Sequence, residues 1–123
     1  MTTAILVGLF GVAGALLRFW VDSLFARRTQ PRKHWPWATL LVNVAGSFII
    51  GFSIALTSRW QLDPVWHTAV ATGLAGGLTT FSSWTTATVR LASEGRFAAA
   101  AANITVNLMT GIAAAALGIS LAG

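Results

Sequence analysis

Cysteine is absent from the 123 residues, which excludes disulfides, thiol catalysis and thiolate metal sites. Charge is also scarce, at 9% of the sequence, and Asp22, Asp63 and Glu94 are its three acidic residues. Set against 55% apolar residues, this places the chain among membrane proteins and far from a soluble globule. Proline is confined to Pro31, Pro36 and Pro64, in expected loops or at helix starts, where a missing N–H costs least. The eight Lys and Arg residues are spread over loops rather than gathered on one helical stripe. That distribution argues against a nucleic-acid partner and marks the basic residues as topology signals.

Four apolar stretches are long enough to span a lipid bilayer as helices, at roughly 3–21, 37–57, 65–91 and 97–121. They predict a single-domain, all-α integral membrane protein. Trp20, Trp35, Trp37, Trp60 and Trp66 fall at the span ends, where an indole favours the interface, and Trp84 falls inside a span. The stretch Met1 to Leu17 imitates a signal peptide, but it lacks a basic leading region and further spans follow, so it is expected to be retained. Four spans put both termini on one side. Arg27, Arg28, Arg32, Lys33, Arg90 and Arg96 lie on the other, against Arg59 alone, so the positive-inside rule predicts both termini outside.

The third stretch is unusual. At about 1.5 Å per residue its 27 or so residues would reach about 40 Å, longer than a hydrocarbon core of about 30 Å. Gly73, Gly76 and Gly77 weaken the helix near its middle, and Thr79, Thr80 and Ser82 can cap a restarted one, which predicts a third helix broken at mid-membrane. Backbone groups freed there must face protein, water or an ion. The same glycines suit close helix–helix packing equally well.

Each other span carries a small or polar stripe. Gly11, Gly14, Ala15 and Arg18 share a face of the first, and Arg18 either snorkels to the headgroups or draws anions into a vestibule. Thr39, Asn43, Gly46, Ser47 and Gly51 follow one face of the second, where Asn43 either joins two helices or lines a polar path. Asn103, Asn107, Thr110 and Gly111 repeat the pattern in the fourth. Phe81 and Trp84, three residues apart, share a face and serve either packing or an anion, which a positive ring edge attracts. His34, His67 and the three acids are expected in solvent or among headgroups. Apart from Arg18, no ionisable residue falls near mid-depth, so enzyme catalysis and proton-coupled cation transport lack the groups they need. Neutral Ser, Thr and Asn donors, Ser47, Thr80 and Ser82 among them, instead suit the fast passage of a small anion.

Three runs carry a resemblance that covers nearly the whole chain: Gly76-Gly77-Leu78-Thr79-Thr80-Phe81-Ser82-Ser83-Trp84, Val42-Asn43-Val44-Ala45-Gly46-Ser47-Phe48 and Gly11-Val12-Ala13-Gly14-Ala15-Leu16-Leu17-Arg18-Phe19. In these the sequence resembles the fluoride-exporting channels of the CrcB or Fluc family. The resemblance implies a passive, fluoride-specific channel in the plasma membrane of a prokaryote, an antiparallel dimer of four-helix subunits with two pores and a structural Na+ at its centre. It places the sodium ligands at the carbonyls of Gly76 and Thr79, the pore at Asn43, Phe81, Trp84, Asn103 and Asn107, and the vestibule arginine at Arg18.

Departures from the family pattern are Trp84 for a phenylalanine, Asn103 and Asn107 for the usual tyrosine and serine, and Ala87 where many members have glutamate. The basic bias is another, since subunits that insert in both orientations normally carry little; it raises a heterodimer with an oppositely oriented paralogue beside the homodimer. Two other functions fit the size. A small four-helix multidrug or cation transporter subunit would need a first-helix glutamate that is missing, and a non-transporting membrane scaffold would not need a glycine break beside a donor-lined face.

Overall fold

In lipid a spanning segment must satisfy its own backbone N–H and C=O groups, so long apolar runs become helices. A computed structural model describes residues 2–28, 36–79 and 81–123, with the side chains of all but 25–28, 81 and 82. The order is α1 (Thr2–Arg28), α2 (Trp37–Arg59), α3 (Pro64–Thr68), a π-helical stretch (Ala69–Ala75), α4 (Gly76–Leu78), α5 (Phe81–Ser93) and α6 (Phe97–Ala122). No strand occurs among the described residues. Among the described residues three helices are long and apolar enough to cross a membrane: α1 over Thr2–Leu24, α2 and α6.

Helix starts and turns follow local chemistry. Asp63, expected merely to face solvent, caps α3 by accepting a 3.0 Å bond from the Val65 N–H, and Pro64 occupies the first helical position. Gly95 turns the chain from α5 into α6 with φ +76°, a conformation that suits a residue without Cβ.

The stretch 65–91, expected as one interrupted span, falls in four helical pieces between Pro64 and Ser93. Gly73, Gly76 and Gly77 all remain helical, and the departure from helix comes after them, at Thr79, with φ −76° and ψ 160°. The reason lies in packing. A Cβ at Gly14 would strike the Leu74 carbonyl oxygen and lie 2.8 Å from the Leu78 nitrogen, and one at Gly77 would strike the Gly11 carbonyl oxygen. The glycines thus let the backbones of α1 and the π–α4 segment touch.

The most extensive helix pairing joins α2 to α6, while α5 lies on α6. Here too glycine sets the distance: a Cβ at Gly51 would strike the Ala115 carbonyl oxygen, and one at Gly118 would lie 2.7 Å from the Phe52 nitrogen. Val42, Ala69, Ala75 and Leu91 are buried, whereas Leu9, Leu16, Phe19, Ile112 and Leu121 point outward. These outward apolar faces are the ones suited to lipid.

Gly51→Ala is expected to destabilise the protein by about 1–3 kcal/mol through overpacking. Gly8→Ala is the control, because a Cβ at Gly8 meets nothing within 4 Å. Thermal unfolding of the two variants in detergent checks the contrast, and equal midpoints would contradict this account of the α2–α6 contact.

Candidate functional site

Two structural features hold most of the expected site residues, and the first is the end of α4. Thr79 still donates its N–H to the Ala75 carbonyl at 2.9 Å, but its own ψ is extended and no longer helical. The last carbonyls of a helix have no following helical N–H to accept. Gly76 is exposed, and a Cβ there would find its nearest neighbour 3.8 Å away, so open space adjoins its backbone. Main-chain oxygens at such a helix end are hard, neutral ligands, and their chemistry fits a sodium ion. Among the described residues no group of three His, Asp or Glu gathers, so side-chain ligation of a metal has no comparable candidate. Thr80 lies outside the described residues, as do the side chains of Phe81 and Ser82.

The second feature is the seam between α5 and α6. Trp84 donates its indole N–H to the Asn103 main-chain carbonyl at 3.2 Å. Asn103 donates its amide to Thr88 Oγ1 at 2.9 Å, and Thr88 in turn donates to the Trp84 carbonyl at 2.9 Å. Asn107 continues the chain, donating to both the main-chain oxygen and the Oδ1 of Asn103 at 2.9 Å. Both asparagines are buried, at 0% and 6% exposure, so these bonds offset the desolvation of their amides. The network brings together three residues singled out from the sequence and adds Thr88, which the stripe of α6 gave no means of finding. Its signal was its own helix: Thr88 lies one turn beyond Trp84. Asn107 Oδ1 is buried without a hydrogen-bond partner among the described residues.

The remaining candidates are distributed around these features. Ser47 faces α6, with Oγ 3.3 Å from where a Cβ of Gly111 would stand, one turn past Asn107. Asn43 is half-buried one turn before Ser47 on α2. Arg18 is half-buried on α1, with Asp22 one turn on and within its electrostatic reach. Among the described residues α1 does not pack on α5 or α6, so Arg18 is not brought to the asparagine network. His67, expected in solvent or among headgroups, pairs its Nδ1 with the buried Ser53 hydroxyl at 2.9 Å and thereby ties α3 to α2. Arg59 donates to the Ala122 carbonyl at 3.4 Å, near the end of α6, where a helix favours positive charge.

Comparison with known proteins bears on the whole chain. The sequence model of the family described as "CrcB-like protein, Camphor Resistance (CrcB)" matches residues 5–119. The fluoride-specific ion channel FluC of Renibacterium salmoninarum is 52% identical over 122 residues, covering 96% of this chain and 97% of its own length. The fluoride-specific ion channel FluC 1 of Yersinia pseudotuberculosis is 40% identical over 112 residues, with 90% and 86% covered. FluC of Aeromonas salmonicida is 38% identical over 122 residues, with 98% and 96% covered. The span-forming helices, the glycine contacts and the polar seam are therefore those of a chain that belongs to the CrcB-like family.

Proposed function

We propose that the chain is a subunit of a passive, fluoride-specific ion channel that lowers cytoplasmic fluoride and so limits its toxicity. The observation that carries this reading is its 52% identity, over nearly the full length of both chains, to a protein named a fluoride-specific ion channel. No reaction chemistry is involved. Fluoride enters a cell as the weak acid HF, dissociates near neutral pH and is trapped as the anion. A passive pore in the plasma membrane of a prokaryote lets the inside-negative potential drive it out.

The proposed pathway runs along Asn43, Ser47, Thr80, Phe81, Ser82, Trp84, Asn103 and Asn107, with Arg18 in a vestibule. Neutral donors bind an anion firmly enough to replace hydration yet release it. The amide hydrogens of Asn103 and Asn107 are engaged along the α5–α6 seam. An ion passing there would exchange one hydrogen-bond acceptor for another. Residues 65–91 would act together as the third of four spans, broken at mid-membrane, and the carbonyls of Gly76 and Thr79 would hold a structural sodium ion at the centre of an antiparallel dimer. Bound there, the cation supplies fixed positive charge between two subunits; the residues themselves supply its oxygen ligands.

The partner subunit follows from charge. Six basic residues on one side against Arg59 on the other favour a single orientation in the membrane. We therefore propose an oppositely oriented paralogue as the partner, in place of a second copy of this chain.

Fluoride efflux from liposomes, with chloride as the discriminating anion, tests the function: fluoride is expected to leave and chloride to be retained. Asn43→Ala and Phe81→Ala are each expected to lower fluoride flux about tenfold or more while the folded yield is kept. Unchanged flux in both would defeat the pathway. Purification with and without a co-expressed paralogue tests the pairing, and a functional antiparallel dimer of this chain alone would defeat the heterodimer.

A further inference from the structure

We propose that Gly46 is a positioning residue for the break, seating the methyl group of Thr79 and so setting the direction in which that residue leaves the helix. The inference rests on the reading of Gly76 and Thr79 as a main-chain cation site.

Thr79 is held from two sides. Its N–H is tied to the Ala75 carbonyl at 2.9 Å. Its Cγ2 methyl sits directly on Gly46 of α2, so closely that a Cβ at position 46 would overlap it. Beyond that methyl, the nearest atoms to such a Cβ would be Thr79 Cβ at 3.5 Å and the Ala75 carbonyl oxygen at 3.6 Å. Both are ordinary contact distances, so a single methyl group is the whole obstacle. A β-branched side chain has few χ1 choices, and seating its methyl fixes the side chain's rotation. With the amide and the Cβ both located, the Thr79 carbonyl can move only through ψ, which stands at 160°.

The helix carrying Gly46 has little freedom to retreat. Contacts at Gly51 and Gly118 already bring α2 against α6, backbone to backbone. Extra volume at position 46 must therefore be taken up by Thr79, either by turning its side chain or by shifting its backbone. Each displaces the carbonyl proposed as a ligand. Gly46 thus acts on the cation site through Thr79 and touches no ion itself.

The test compares the full chain with Gly46→Ala, Thr79→Ser and the double variant. Serine keeps the amide, the hydroxyl and the carbonyl of Thr79 and removes Cγ2 alone. Two quantities are read: fluoride efflux from liposomes, and the rise in Tm when sodium replaces potassium. In the unmodified background, Gly46→Ala is expected to lower efflux about tenfold or more and to diminish the sodium-dependent rise in Tm. In the Thr79→Ser background the same change is expected to lower efflux by no more than about threefold and to leave the sodium increment of that background as it was.

Equal losses in the two backgrounds, or no loss in either, would overturn the seat. If Gly46→Ala does not fold, recovery of folded protein on adding Thr79→Ser supports it, and failure to recover overturns it. The cation reading fails separately: an unmodified protein with the same Tm in sodium and potassium refutes that reading, while the coupling between positions 46 and 79 in efflux still decides the seat.

Discussion

Where Gly14 of α1 meets Leu74, Gly77 and Leu78, two backbones run against each other with no side chain between them. Lipid tails are as apolar as leucine, so helices in a membrane gain little from hiding apolar faces and depend on close van der Waals contact instead. The seating of α1 on the π–α4 segment and of α2 on α6 depends on that constraint. The same device recurs between α2 and α6 through Gly51 and Gly118, whereas at Gly46 of α2 it is the Thr79 methyl that meets the glycine. The segment from Ala69 to Thr79 is consequently bordered by α1 at main-chain distance and by α2 through the Thr79 methyl. A helix end held this way can keep its carbonyls in a defined direction.

The α5–α6 seam works by another means. Among the described residues no glycine contact is found there; buried amides and a hydroxyl join Trp84, Thr88, Asn103 and Asn107 into a continuous set of hydrogen bonds. In a low-dielectric interior such bonds are stronger than in water, and their loss is correspondingly costly. The two halves of the molecule are thus assembled differently, one by shape and one by polarity. The cation reading belongs to the first and much of the anion reading to the second.

Hydropathy made α1, α2 and α6 legible as membrane-capable helices, because apolar length is a property of a continuous run of residues, although α1 runs on to Arg28. The location of the break was less so. Gly73, Gly76 and Gly77 are weak helix formers in isolation, yet all three stay helical, Gly73 and Gly77 against α1, and the departure from helix comes at Thr79. Whether a membrane glycine breaks a helix or packs it depends on what stands opposite, which local sequence does not contain. The Ser53–His67 pair was illegible for the same reason: it depends on how α2 and α3 are rotated toward each other. Asn103 and Asn107 were found from their shared stripe, but the acceptors of their amides depend on the packing of α5 against α6.

The indole of Trp84 shows what such a partner can change. Its only strong hydrogen-bond donor is answered by the Asn103 carbonyl, so the rest of the ring presents carbon-bound hydrogens, much as a benzene ring would. On the pathway proposed above, a larger residue would thereby stand in for phenylalanine without adding a strong N–H anchor for the ion. Because the acceptor belongs to the main chain, this neutralisation does not depend on which side chain occupies position 103.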